Sequence, residues 1–544
     1  MTREGDENML SKMRSHFRLL PLAAAVVALA LTAFVFAAPA GAKVMRIGSG
    51  VADVGTLDPH FATNFGEYPI VKAMFNGLVD LPPGTVDMER IQPDLAERWE
   101  VNEDGTVWTF YLRQGVQWHH GYGEFTAEDV VFSFNRMKSE EVGSPWRSEV
   151  ANIKEVRAVD PYTVEIELHA ADPFTLLRLV GYHSGFIVSK KAVEELGEEY
   201  RFRPIGTGPF MIEEYNPRQS VVLAANKDYF KGAPKLDGLV FLFMPDTATR
   251  ELALRTREID AADGNAEQIW VDRMRSQGLI VDTVGPGNGY FLQYNMTMPP
   301  FDNLLVRQAL SYAINRQDVV EFLGPALARE LKSPVPMGYF GHTTEGIETY
   351  DYDPQRARQL LAEAGYPNGF TFDIYMSEAS SYLPFAQIFQ AHWRAIGVTM
   401  NLNIVDHASY HALVRENRNG VILYNATRLP IADVYLSQFY HSDAIVGKPT
   451  AITNFSHLGD VVASVDHLIE EARFEHNAER QRELYAEAQR IIMEVAAAMP
   501  YAQRYSTMAR QPYVDLGYEL IGPNHFDNLF EHYIYNENTD LIGR

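Results

Sequence analysis

The chain begins polar and then runs uncharged and mostly apolar from Leu19 to Ala38. Lys12, Arg14 and Arg18 flank this run on its N-terminal side, and Ala40-Gly41-Ala42 follows it. A basic flank, an apolar stretch and a small-residue Ala-x-Ala pattern predict a secretory leader, residues 1–42, cut after Ala42. A run of this length can also span a bilayer. Pro21, early in the run, and the placement of the small residues favour the cleaved leader. No second long apolar segment follows.

Beyond Lys43 the apolar positions switch between a strand period and a helix period, which predicts mixed α/β lobes. Val44 to Ile47 reads as a first strand, broken by Gly48-Ser49-Gly50. Trp108 to Leu112 alternates after the Glu103-Asp104-Gly105 turn, and Tyr162 to Leu168 alternates after Asp160-Pro161. Val221 to Ala224 is another short strand. Thr126-Ala127-Glu128-Asp129 predicts a helix start, because Thr can cap open amides and Asp129 favours the positive helix end. Asn303 to Val320 fits one helix capped by Asp302, with Val306, Ala309, Leu310, Ala313 and Ile314 on one face. Asp353-Pro354 is the clearest helix start in the chain. Asp caps it, Pro takes the first helical position, Ala357, Leu360, Leu361 and Ala364 face inward, and Gly365 ends it. Val465 to Glu494 predicts one or two amphipathic helices. Gly206-Thr207-Gly208-Pro209-Phe210 cannot be helix and reads as a tight crossing segment.

Length and charge narrow the class. The 544 residues exceed what one hydrophobic core usually serves, so two or more lobes are expected. A formal net charge of −24 argues against nucleic acid, which needs basic patches for phosphate contacts, and against anionic lipid. The chain has no cysteine. That excludes disulfides, thiolate metal sites, a cysteine nucleophile and a lipid attached at the cut site.

Enzymatic signatures are missing. There is no phosphate-binding G-x-x-x-x-G-K-[ST] loop, no H-E-x-x-H zinc helix, no G-x-S-x-G elbow and no calcium loop. Gly206 to Phe210 holds G-x-G without the third glycine or the following helix of a dinucleotide site. His119-His120 reads as a solvated turn running into Gly121, because adjacent strand side chains point to opposite faces. His407 and His411 are four apart, a spacing that can serve a metal on one helix face, but no third ligand is evident. His183-Ser184 is adjacent in sequence only, which is no evidence for a triad. No catalytic residue, metal or cofactor is expected.

Several blocks resemble the family-5 extracytoplasmic solute-binding proteins of ABC importers, the oligopeptide-, dipeptide- and nickel-binding group. They are Leu57-Asp58-Pro59-His60 with Phe75-Asn76-Gly77-Leu78-Val79, Pro93 to Trp99 running into Gly105 to Phe110, Gly115 to His119, and Phe125 to Val130. Pro204 to Phe210, Asn226 to Phe230, Val306 to Ile314 and Tyr352 to Tyr366 continue the match in the expected order. The resemblance implies an α/β, two-lobed periplasmic binding protein of type II, class C-like, with an extra subdomain inserted in lobe I. Lobe I would comprise 43–85, 204–288 and a C-terminal return at 509–544. The inserted subdomain would cover 86–203, and lobe II 289–508. Ligand would sit between lobes closing about a hinge. The implied partners are a small organic solute, peptide-like or carboxylate-bearing, and an inner-membrane ABC permease, with no nucleic acid. A periplasmic monomer is expected.

In peptide-binding members of the family, a W-x-x-D motif supplies an Asp for the peptide ammonium. Here Asn425 stands in place of the Trp and Arg428 in place of the Asp. An unpaired Arg beside a desolvated ammonium is strongly unfavourable, whereas Arg binds a carboxylate through two parallel hydrogen bonds. Arg428 is therefore expected either to anchor an anionic ligand or to pair with Asp433 or another acid. Other contacts implied by the family loops are Thr63, Asn64 and Phe65; Gly264, Asn265 and Trp270; Tyr290 at the lobe crossover; and Tyr424 beside Asn425. His183, His407 and His411 are the histidines open to a nickel- or haem-type cargo, the alternative within the family, and His183 joins the contact set. An exported enzyme without a recognisable motif is the alternative of another class.

Overall fold

Strands from both halves of the chain build one nine-stranded sheet. Its order is Val421–Ala426, Ile280–Tyr294, Ala498–Arg510, Ala261–Asp263, Val44–Ser49, Gly238–Phe243, Ser220–Ala225 and Phe210–Asn216, with Ala328–Arg329 pairing off Ala498–Arg510. The computed structural model describes residues 41–519 and 532–544, apart from 86, 182, 266, 380, 449–452 and 476. The apolar run Leu19–Ala38 lies outside the described residues, and so does part of the 509–544 segment.

A separate antiparallel sheet holds Ala96–Val101, Val107–Leu112, Thr163–Leu168 and Ile153–Asp160 in that order. In Thr163–Leu168 the alternating Val164, Ile166 and Leu168 are buried, as their period requires. The helix Ala127–Lys138 begins with the reciprocal cap of Thr126 and Asp129, whose carboxylate accepts from the Thr126 amide at 3.0 Å. Two parallel strands, Thr371–Ser377 and Thr399–Val405, are joined through the helix Leu383–Arg394, the crossover that parallel pairing demands.

Local helix signals held where the cap was unambiguous. Asp353 Oδ1 accepts from the amides of Gln355 and Arg356, and Gly365 takes φ +92° beyond the helix Pro354–Glu363. Val465 to Glu494 resolves into two helices, Ser464–Phe474 and Ala478–Glu494. The single helix expected over Asn303–Val320 is two helices, Leu304–Tyr312 and Arg316–Leu323. Their caps are Asn303 and Asn315, which accept from the amides of Leu305 and Gln317. Asp302 is not the cap. The second asparagine opens a new helix where the apolar pattern runs on unbroken.

The Gly206-Thr207-Gly208 segment crosses the end of the helix Tyr68–Met74. A Cβ on Gly206 would stand 1.9 Å from the Met74 carbonyl, and Gly208 N donates to that same oxygen at 2.8 Å. His119, expected in a solvated turn, is buried against this crossing. Its ring nitrogens meet Gly208 O at 2.9 Å and Gly206 N at 3.3 Å, which leaves neither for a metal. His60 of the Leu57–His60 block is also structural. It sits between Arg136 and the carbonyl of Phe186.

Candidate functional site

Two long antiparallel strands, Ile280–Tyr294 and Ala498–Arg510, pair along most of their length, from Ile280 opposite Arg510 to Gln293 opposite Ala498. Their register slips between Val284 and Asn288. Gly285 and Gly287 occupy the slip with φ of +111° and +86°. A Cβ on Gly287 would lie 2.7 Å from the Gln503 side chain and 2.8 Å from the Tyr505 ring, so glycine is required there twice over. Beyond the slip, Asn288 stands opposite Arg504 and Tyr290 opposite Ala502. Asn288, Tyr290 and Arg504 therefore project from one face.

A cavity of about 330 Å³ opens against that face. Four of the residues expected from sequence line it: Phe65, Gly264, Asn265 and Tyr290. Gly264 belongs there for a steric reason. Its amide donates to Thr507 O at 2.8 Å, and a Cβ would fall 2.3 Å from Thr507 Oγ1. Asn425 adjoins the wall, accepting from Asn288 Nδ2 at 3.4 Å.

Sequence reasoning missed the charged pair of this cavity, Arg504 and Asp263. Arg504 Nη1 donates to the Tyr290 hydroxyl at 3.3 Å, while its Nε is buried without a partner. Thr507 Oγ1 and Asn288 Oδ1 are also buried and unpartnered. Three unmet polar atoms around one cavity are costly unless something fills it. Asp263 is turned by the Ser49-Gly50 corner, which donates to its Oδ2 from Gly50 N at 2.7 Å and Ser49 Oγ at 3.3 Å. Burial raises its carboxyl above the ordinary range, against these hydrogen bonds and the charge of Arg250. A signal for Arg504 exists in the sequence. It is a lone cation between the apolar stretches Ala498–Ala502 and Met508–Ala509.

The remaining expected contacts stand elsewhere. The amides of Thr63 and Asn64 bond Glu67 Oε2 at 2.8 and 2.9 Å, while Gly55 and Thr56 bond its other oxygen. One carboxylate thus pins the loop, and only Phe65 reaches the cavity. Trp270 is buried with Ala253, Leu254 and Met274 in a small core of its own. Tyr424 packs on Phe439 and Phe455. His183 falls in a single helical turn, and its side chain lies outside the described residues.

Arg428 does not line the cavity and does not meet Asp433. Its Nε donates to Gln438 Oε1 at 2.5 Å and its Nη1 to Thr427 O at 2.9 Å, with the guanidinium 5.6 Å from the Phe439 ring centre. Asp433 is buried between two other arginines, Arg473 Nε at 2.9 Å and Arg178 Nη2 at 3.3 Å. That pairing, formed by segments far apart in sequence, consumes the carboxylate expected for Arg428 or the ligand. Among the described residues no group of three or more His, Asp or Glu is placed to hold a metal ion, and no helix is long and apolar enough to cross a membrane.

The family model for bacterial extracellular solute-binding proteins, family 5, matches residues 90–446. The chain belongs to this family. It is 31% identical to heme-binding protein A of Haemophilus influenzae, over 79% of this chain and 81% of that protein. It is 28% identical to the dipeptide-binding protein of Escherichia coli, over 92% and 97%. Among solved structures, MoaA from A. tumefacien R10 in complex with mannopinic acid superimposes with a TM-score of 0.79 at 38% identity, covering 92% of this chain and all of that one. The fold is that of a two-lobed periplasmic binding protein, and the chain is the solute-binding component of an ABC transporter.

Proposed function

We propose that this family-5 protein captures a small organic acid, and that Arg504 rather than Arg428 receives its carboxylate. The observation that carries this reading is the buried, unpartnered Nε of Arg504 beside the 330 Å³ cavity. A guanidinium edge with an open donor pairs with a carboxylate at the strength of a charge-assisted hydrogen bond. Tyr290 holds the other side of the fork. Asp263, in the same cavity, takes hydroxyl or ammonium donors from the rest of the ligand. The structural relative with mannopinic acid bound supports a carboxylate-bearing cargo, because its ligand is itself an acid.

The wider reading follows the family. The chain is exported through a leader cut after Ala42, works as a periplasmic monomer, delivers its cargo to an inner-membrane permease and carries out no chemistry. Lobe I is assigned to 43–85, 204–288 and 509–544, the inserted subdomain to 86–203 and lobe II to 289–508. The separate four-stranded sheet between Ala96 and Leu168 supports the insertion. The register slip at Gly285–Gly287 supports a hinge between lobes.

A thermal-shift screen of organic acids against their primary amides tests the cargo class, with mannopinic acid as the first probe. Acids stabilise the protein and the matched amides do not. Equal shifts from acid and amide, or the strongest shifts from dipeptide amides, overturn the reading.

A further inference from the structure

His407 and His411 begin the helix His407–Arg415, one turn apart. Their Nε2 atoms face each other at 3.2 Å, with ring centres 4.5 Å apart and planes at 83°. Two imidazole nitrogens bound to one tetrahedral ion at about 2.0–2.1 Å stand about 3.3 Å apart. The pair already has that bite. His407 Nδ1 meets Ser377 Oγ at 2.9 Å, a contact that fixes the ring with Nε2 turned toward His411. The Tyr382 ring packs against both histidines at 5.2 and 6.0 Å, and Tyr424 packs against His411 at 5.8 Å. These rings hold the two imidazoles in place, while His407 stays exposed to solvent.

We propose that His407 and His411 form a site for a divalent transition-metal ion, held by the two Nε2 atoms and completed by water. The site is separate from the cleft cavity and does not depend on what that cavity binds. Imidazole suits zinc, nickel and copper, and two protein ligands leave open positions for water or a small chelator. One feature limits the affinity. His411 Nδ1 is buried without a partner, so in the metal-free chain the ring proton sits on Nε2 toward His407. A bound metal moves that proton to Nδ1, where the donor has no partner, and this weakens binding.

Calorimetric titration of tag-free protein with zinc chloride tests the proposal. One site with a dissociation constant on the order of 10 µM is expected. His407→Ala and His411→Ala each weaken it at least tenfold, while His457→Ala, whose target bonds Asn417 outside this pair, leaves it unchanged. Equal affinity in wild type and the double variant overturns the site, as does absence of heat up to about 1 mM. A second readout needs no variant. Zinc protects His407 and His411 of the wild-type chain from diethyl pyrocarbonate, and equal modification with and without zinc contradicts the proposal.

Discussion

The guanidinium of Arg178 reaches the carboxylate of Asp433 at 3.3 Å, joining positions 255 residues apart. Arg473 holds the other carboxylate oxygen at 2.9 Å, and Ser437 Oγ donates at 3.2 Å. Asp433 is only 3% exposed. Removing one member of a buried ion pair leaves the others uncompensated, at a cost of about 3–5 kcal/mol. Asp433→Ala is expected to lower stability by about 3 kcal/mol, read as a shift of the urea midpoint. A change below about 0.5 kcal/mol would mean that the arginines find water instead.

Acid sensitivity should come from buried histidines. Burial lowers the pKa of His60 and His119 from 6.5 to about 4, with Arg136 adding to the effect on His60. The unfolded chain therefore binds more protons than the folded one between pH 6.5 and 4. Stability is complete above 6.5 and falls as pH drops through this window, by at most about 1.4 kcal/mol per pH unit for each group. The urea midpoint of the wild type should decline between pH 6.5 and 5, and His119→Gln should decline less steeply. Parallel slopes would assign the acid response to other groups.

How much of this was legible beforehand depended on whether a signal was local. Asp353-Pro354 and Thr126–Asp129 announced their helices because a cap is written within four residues. Asn315 did not, because the apolar spacing continues past it and only the cap geometry reveals the restart. The family blocks pointed to the two-lobed fold. Phe65, Gly264 and Asn265 were expected in loops that follow strands and Tyr290 at the lobe crossover, and all four line the cavity. Arg504 and Asp263 were not, because their importance comes from two strands meeting in space. Arg428 drew attention through the charge it substitutes; its guanidinium bonds Gln438 and the Thr427 carbonyl, and it is not part of the cavity lining. His119 looked solvated because nothing in its neighbourhood encodes the Gly206–Gly208 crossing that buries it.

Backbone contact at the cavity offers a steric test. Gly264 lies against Thr507, and a methyl group there meets Thr507 Oγ1 at 2.3 Å and Thr507 O at 2.7 Å. Gly264→Ala must push the 261–265 segment away from the second crossing strand. Overpacking of this kind costs about 1–3 kcal/mol. The variant should fold with a lowered melting temperature and lose most of its ligand-induced stabilisation. Unchanged ligand-induced stabilisation would show that this segment does not shape the cavity.

The central claim, that Arg504 receives the carboxylate of the cargo, is tested by isothermal titration of the acid giving the largest thermal shift into the wild type, Arg504→Ala and Arg428→Ala. Loss of a buried charge-assisted contact of about 2–3 kcal/mol predicts roughly a hundredfold weaker binding for Arg504→Ala. Arg428→Ala should stay within about threefold of the wild type. Retained affinity in Arg504→Ala together with lost affinity in Arg428→Ala would contradict the account.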